Sequence, residues 1–106
     1  MRTYYQGETI EVFLNSTETL YLDLCEDFAV YFSIGEDDYR GKVEKAEMDT
    51  LGDGTYRAVL TAMKTSDMPA GVYDIEFKYR TGDTVHVQKE ERAFVLKTSA
   101  SRLELI

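Results

Sequence analysis

One short segment around the single proline constrains the fold of this chain more than any other. Pro69 is followed by Gly71 and then by residues 73–80, in which aromatic or aliphatic residues alternate with charged ones. Strict alternation of this kind predicts a β-strand with one buried face. In two-sheet sandwiches, a tyrosine near the start of the sixth strand returns its hydroxyl to upstream backbone, and Tyr73 stands at that position. We therefore predict a structural corner formed by Pro69, Gly71 and Tyr73.

The same alternation recurs along the chain between turn-forming residues. The segments that carry it are residues 10–14, 20–24, 28–34, 39–48, 55–60, 73–80 and 85–96, the last with a break. Residues 39–48 are rich in helix formers, so a short helix is the alternative there. The Asp53-Gly54 pair that follows predicts a hairpin and favours a strand. About seven short strands with turns at roughly ten-residue spacing predict an all-β fold, an immunoglobulin-like antiparallel β-sandwich.

Length and charge restrict the class of protein. The 106 residues fit one domain spanning 1–106, and its end from residue 98 is predicted to be looser because the sequence there turns to small polar residues. Hydrophobic residues make up 43% of the chain, enough for a core without metal or disulfide staples. Twenty acidic against twelve basic residues give a net charge of -8, which argues against nucleic acid as a partner.

The first residues and the single cysteine bear on cellular location. The opening segment lacks the apolar core of a secretory signal, and no run of the sequence reaches membrane-spanning length. Cys25 has no partner for an internal disulfide. We therefore expect synthesis and residence in a reducing, cytoplasmic compartment, with no membrane partner.

The residues that most often carry catalysis lack the neighbours that catalysis needs. His86 is the only histidine, and the alternation around it predicts that it faces solvent while the flanking valines point inward. Cys25 precedes two acidic residues, whose charges are expected to raise the pKa of the thiol and so oppose its activation. Acidic clusters at residues 23–27, 36–38 and 49–53 lack the ligand spacing of a calcium loop. We predict no enzyme activity and no catalytic, cofactor or metal site.

Three aromatic residues alternate out of register with the aliphatic residues that we assign to the core. They are Phe13, Tyr21 and Tyr31. The outer side of a sheet in a sandwich should be polar, so large aromatic residues there predict a contact surface. The alternative is cross-strand aromatic pairing that only stabilises the sheet. We predict that these three residues mediate self-association into a homo-oligomer or contact with another protein.

Residues 54–61 and 68–77, with the closing segment 94–96, resemble the amino-terminal immunoglobulin-like domain of phage upper-baseplate and tail proteins. In that family a Gly-x-Tyr strand, a polar turn, a Gly-x-Tyr corner and a closing Phe-x-Leu strand recur in this order, and the opening residues 6–10 also fit. The resemblance covers most of the chain. It implies incorporation into a phage or prophage particle, with contacts to itself or to neighbouring particle proteins and without catalysis.

The sequence thus supports two functions of different classes. The first is a non-enzymatic structural or assembly module that acts through protein–protein contacts. The alternative is a β-sandwich module that binds carbohydrate or a cell-surface ligand through tyrosines such as Tyr39 and Tyr56, together with carboxylates of the loops.

Overall fold

The computed structural model describes residues 1–36 and 38–104, and most of them lie in β-strands. In chain order the strands are β1 (Arg2–Tyr5), β2 (Ile10–Asn15), β3 (Asp27–Ile34), β4 (Tyr39–Glu44), β5 (Asp49–Gly52), β6 (Thr55–Leu60), β7 (Gly71–Thr81) and β8 (Thr84–Lys97). The helical elements are two 3-10 helices and one α-helix: Leu22–Leu24, Lys45–Glu47 and α1 (Ala62–Asp67). The predicted all-β fold is therefore confirmed for the described residues.

The strands form two sheets. The larger sheet has five strands in the order β1-β8-β7-β3-β4, and the smaller has three in the order β2-β6-β5. Neighbouring strands are antiparallel, except that β1 and β8 run parallel. β7 and β8 form a long hairpin that turns at Gly82 and Asp83, and its register shifts between Tyr73 and Ile75. This hairpin provides much of the larger sheet.

One cluster of buried side chains joins the two sheets. Its large and fully buried members include Ile10, Phe28, Phe32, Leu60, Tyr73, Phe94 and Leu96. The ring of Phe94 lies nearly parallel to that of Tyr73, with centroids 5.2 Å apart, and meets Tyr4 edge to face at 5.5 Å. Because these rings belong to β8, β7 and β1, Phe94 ties three strands of the larger sheet together.

The corner before β7 contains the three residues named from the sequence. The hydroxyl of Tyr73 donates a hydrogen bond of 2.6 Å to the carbonyl of Pro69, four residues upstream. Gly71 lies against the side chain of Ile34, so that a Cβ atom would meet it. α1 leads into this corner, and Thr61 caps its first turn by accepting a hydrogen bond from a backbone amide three residues on. The chain thus passes from the smaller sheet to the larger one through a short helix and a tyrosine-held turn.

The prediction of a strand over residues 20–24 is wrong. The segment is a loop held by the hydroxyl of Ser16, which accepts from the amide of Leu22 at 2.9 Å and donates to the carbonyl of Gly54 at 2.6 Å. Side-chain hydrogen bonds of this kind compete with the ladder of a strand. Leu22 is fully buried, so the alternating leucines come from a loop that inserts one side chain into the core.

Residues 39–48 contain both of the predicted alternatives, a strand and a short helix. β4 covers residues 39–44, as the favoured prediction states, and the Lys45–Glu47 3-10 helix follows it. That helix has a capping box, in which the carboxylate of Glu47 accepts from the amide of Glu44 at 3.0 Å. The sequence did not predict β1, β5 or α1, because elements of four to six residues carry too short a periodic signal. β5, rather than β4, is the hairpin partner of β6.

The chain after β8 folds back toward the start of the domain. The amide of Arg102 donates to the carbonyl of Ser99 at 3.3 Å. The backbone of Arg102 lies so close to Gly7 that a Cβ atom there would approach it to 3.0 Å. In its described part, the end from residue 98 contains turns and comes close to Gly7, while most of its side chains are exposed; residues 105 and 106 lie outside the described residues.

Two buried phenols should make stability fall at high pH. Burial raises the pKa of Tyr73 to about 12, and a hydrogen bond to Asp23, with burial, raises the pKa of Tyr56 to about 12. In the unfolded chain these tyrosines have a pKa of about 10, and below that pH their contribution to stability is fully present. The contribution is lost as the pH rises through the higher pKa of the folded state. We predict that the free energy of unfolding falls between about pH 10 and pH 12.

The variant Tyr73→Phe tests this assignment. It should cost about 0.5 to 1.5 kcal/mol at neutral pH, the net value of one hydrogen bond. The variant should also lose less stability at alkaline pH than the wild type, because one phenol fewer ionises on unfolding. Denaturant unfolding at neutral and alkaline pH measures both effects. An unchanged midpoint at neutral pH, or an equal alkaline loss in both proteins, contradicts the assignment.

Candidate functional site

A groove separates the edge of the smaller sheet from the β7–β8 hairpin of the larger one. It encloses about 600 Å³. One wall is the edge strand β2, with half-buried Val12 and Leu14. The other wall is the inner face of β7, with half-buried Ile75, Phe77 and Tyr79. The groove arises because three strands face five, so the smaller sheet does not cover the whole hairpin.

Three aromatic rings stack along the hairpin wall. The centroids of Phe77 and Tyr79 are 5.2 Å apart with planes 23° from parallel, and those of Tyr79 and His86 are 4.9 Å apart with planes 20° from parallel. At the inner end, Phe77 meets the buried Phe28 edge to face at 5.8 Å. At the other end, His86 is exposed. The stack thus connects the core with the solvent-filled groove.

His86 is exposed to solvent, as predicted, but the side of the sheet predicted for it and for the flanking valines is wrong. His86 lies opposite Tyr79 in the hairpin, so it projects to the inner face, while Val85 and Val87 project outward. A tight turn of two residues fixes this pairing, because partners across a hairpin share a face. The turn and the inward Tyr79 together are the signal that could have placed His86 from the sequence. The valines suggested the opposite because β-branched residues also favour exposed strand positions.

Polar side chains line the rest of the groove. Gln88 and Glu90 continue along β8, and Asn15, Thr17 and Thr19 come from the end of β2 and the loop after it. All five are exposed. Amide, carboxylate and hydroxyl groups beside stacked rings give the groove both apolar and hydrogen-bonding surface, the combination found in binding sites for small molecules.

The outward side of the five-stranded sheet, called the outer face below, carries apolar side chains. Tyr31 on β3 meets Tyr39 on β4 edge to face with centroids 5.1 Å apart, and the ammonium of Lys42 lies 5.3 Å from the Tyr31 ring. Val85 and Val87 on β8 are 53% and 55% exposed. Because a sandwich normally presents polar residues on this side, these tyrosines and valines are the unusual feature of the outer face.

The charges of the outer face nearly balance. The charged residues that the strand pairs place on it are Lys42, Lys78, Arg80, Lys89 and Lys97 with Asp27, Glu44, Asp74 and Glu76. Five basic and four acidic groups give +1, so the rest of a chain whose net charge is -8 carries -9. Lys42 and Glu44 form an ion pair of 2.7 Å, and this hydrogen bond lowers the pKa of Glu44 and raises that of Lys42.

The three aromatic residues predicted as one contact surface do not share a face. Tyr31 lies on the outer face, whereas Phe13 belongs to β2 in the other sheet. Tyr21 lies in the loop before the first 3-10 helix, with its ring near Gly54. The prediction of a single patch is therefore wrong, because alternation along a strand tells which side a residue faces but not which sheet the strand joins. Tyr31 has Tyr39 as its aromatic neighbour instead.

Cys25 is buried rather than placed at an accessible strand end. It is only 2% exposed, and burial raises the pKa of its thiol, against a smaller opposite effect of Lys45. The direction agrees with the sequence argument, but the cause is desolvation rather than repulsion from the acidic residues that follow. Burial and a raised pKa both disfavour a nucleophilic thiolate.

Several acidic residues of the predicted clusters serve as structural partners. Asp23 accepts a hydrogen bond from the hydroxyl of Tyr56, and Asp49 accepts two from Arg57 at 2.7 and 3.0 Å. Tyr56 is therefore buried and engaged, and is not free for the carbohydrate contact that the alternative function assigns to it. Within residues 1–36 and 38–104, no three His, Cys, Asp or Glu side chains converge as metal ligands would. In the same part of the chain, no helix is long and apolar enough to cross a membrane.

Comparison with known proteins gives a fold and no family. The sequence matches no protein-family profile and no curated protein. Among solved structures, the endo-β-1,4-mannanase from Thermotoga petrophila matches 92% of this chain with a TM-score of 0.57 and 18% identity. A candidate glycoside hydrolase from Bacteroides vulgatus matches 94% of it with a TM-score of 0.55 and 14% identity. This chain spans 17% of each of those proteins, and the similarity is one of fold alone.

Proposed function

We propose that this chain is a non-enzymatic, immunoglobulin-like β-sandwich module that acts through protein–protein contacts, as the resemblance to phage tail and baseplate domains implies. The strand order supports an immunoglobulin-like topology. The order β2-β6-β5 follows the B-E-D order of one immunoglobulin sheet, and the order β3-β7-β8 follows the C-F-G order of the other. The hydrogen bond from Tyr73 to Pro69 supports it further, since a tyrosine corner makes that bond.

The outer face is the observation that carries the proposed function. Tyr31 and Tyr39 form an aromatic pair at its β3–β4 edge, and Val85 and Val87 lie on β8, on the other side of the charged residues of β7. Tyrosines are enriched in protein interfaces because they bury a large ring while their hydroxyls stay hydrated.

Charge favours the acidic surface of a second copy as the occupant of the outer face. The outer face carries +1 and the remaining surface -9, so contact between the outer face of one copy and the acidic surface of another involves the least repulsion between charges. Contact between two acidic surfaces is repelled. A head-to-tail contact of this kind uses two different surfaces and repeats into a ring or a filament, which suits a module of a particle.

Replacing Tyr31 and Tyr39 together with serine is expected to weaken self-association by about tenfold or more, because interface tyrosines often contribute more than about 1.4 kcal/mol. Sedimentation velocity over a concentration series should show oligomers of the wild type where the double variant is monomeric. The control is the double variant Phe13→Ser and Tyr21→Ser, which removes exposed aromatic rings that lie off the outer face. The control should associate like the wild type.

Two outcomes contradict the contact proposal: a wild type that stays monomeric throughout the series, or an equal loss of association in both double variants. Circular dichroism verifies that the variants fold. If the tyrosine variant does not fold, Lys78→Glu takes its place, because Lys78 is exposed and the exchange turns the outer face from +1 to -1. It should weaken association in the same direction, and no change would count against the proposal.

A second candidate function is binding of carbohydrate or a cell-surface ligand. The observation that favours it is the groove, with its stacked rings and polar lining. The solved structures that share this fold are described as a mannanase and a candidate glycoside hydrolase, and each contains the matched fold as a small part. This candidate does not use the outer face, so one chain can carry both functions.

A further inference from the structure

We propose that the groove between β2 and the β7–β8 hairpin is a binding site for a short oligosaccharide, with the exposed ring of His86, stacked on Tyr79, as its platform. The proposal rests on the second candidate function and is independent of the contact proposal. The volume of the groove, about 600 Å³, lies within the usual range for ligand sites, about 300 to 1,000 Å³. The groove is therefore large enough for a ligand of several rings.

The stacked rings match the apolar part of a sugar. A pyranose presents a face of C–H bonds that packs against aromatic rings, and its rim carries hydroxyl groups. Tyr79 is half-buried and held between Phe77 and His86, with centroid distances of 5.2 and 4.9 Å. Both faces of the Tyr79 ring are therefore occupied, and the exposed end of the stack is the ring of His86. Because Tyr79 backs that ring, little side-chain freedom is lost when a ligand packs on it. The platform is thus preorganised.

The polar lining matches the hydroxyl rim of a sugar. Gln88 and Glu90 extend from the rings along β8, and Asn15 and Thr17 face them from the other wall. The groups are amides, a carboxylate and a hydroxyl, which donate to or accept from sugar hydroxyls. An uncharged ligand rich in hydroxyls satisfies both the ring surface and this lining, whereas a purely apolar ligand would leave the polar groups unpaired.

The direct test is a titration of the isotope-labelled chain, followed by amide NMR. The probes are three soluble hexasaccharides: mannohexaose, cellohexaose and maltohexaose. The first two are β-1,4-linked and the third is α-1,4-linked, so the series also reports which chain shape fits. We expect at least one probe at millimolar concentration to shift the resonances of Tyr79, His86 and Gln88, and to leave those of Tyr31 and Lys42 on the outer face unchanged.

Variants then assign the binding to the rings. His86→Ala should weaken the binding of that probe by roughly tenfold, the effect of losing one aromatic contact. The matched control is Tyr5→Ala, which removes an exposed ring that does not line the groove and should leave the affinity unchanged. Gln88→Ala, at an exposed position, should weaken binding by several-fold without affecting the fold.

Three results would overturn the site. They are the absence of groove shifts with all three hexasaccharides, equal affinities of wild type and His86→Ala, and groove resonances that move with protein concentration but not with sugar. The last result would mean that another copy of the chain occupies the groove. Failure here leaves the contact proposal standing, because that proposal is measured on the outer face and without sugar.

Discussion

Replacing Phe94 with alanine is expected to destabilise the protein by about 3 to 5 kcal/mol, the usual cost of removing a buried phenylalanine side chain. Phe94 is 2% exposed, and its ring contacts those of Tyr73 and Tyr4 at 5.2 and 5.5 Å. A cavity at this position would loosen β1, β7 and β8 together. The free energy of unfolding from urea denaturation measures the loss.

Phe13→Ala is the matched control for the Phe94 variant. The same atoms are removed, but Phe13 is 55% exposed on the edge strand β2, so the change should cost less than about 1 kcal/mol. Equal costs for the two variants would contradict the location of the core. If Phe94→Ala does not fold at all, Phe94→Leu should still destabilise by more than Phe13→Leu.

Gly54→Ala is the second change with a large expected effect, about 3 kcal/mol or more, because backbone strain adds to a steric clash. Gly54 has a φ of 71°, which disfavours residues with a Cβ atom. A Cβ atom there would also overlap the hydroxyl of Ser16. That hydroxyl ties the loop of Leu22 to the hairpin, so the clash would release the loop from the end of the core.

Gly35→Ala separates strain from clash. Gly35 has a similar φ of 75°, but no atom of the described residues lies within 4 Å of the place where its Cβ atom would stand. It should therefore cost only the strain, about 1 to 2 kcal/mol. Thermal and urea unfolding of both variants measure the difference. Equal destabilisation of the two variants would show that the Ser16 tether does not hold the loop.

The corner and most strands could be predicted from the sequence because local signals and burial agree there. The alternation after Gly71 gives β7 its inward Tyr73, and the Asp53-Gly54 pair marks the turn between β5 and β6. The immunoglobulin-like topology needs the pairing of distant strands, which alternation along one strand does not contain. The parallel pairing of β1 with β8 is such a case.

The groove and the outer face could be predicted only in part. Tyr31 was identified as exposed, but its aromatic neighbour Tyr39 comes from the next strand, across a register shift at Ser33. His86 was assigned to the wrong side, because its orientation depends on the pairing with Tyr79 and not on the valines beside it. The pairing of strands in the tertiary structure therefore decides which side chains are in contact.

The most direct test of the central claim, that the outer face is a contact surface, is the concentration dependence of amide NMR spectra of the wild-type chain. We predict that raising the concentration shifts the resonances of Tyr31, Lys42 and Lys78 on the outer face, together with residues of an acidic surface elsewhere. Resonances of Phe77 and Gln88 in the groove should stay in place. Spectra that are the same at all concentrations, or shifts confined to the groove, would contradict the claim.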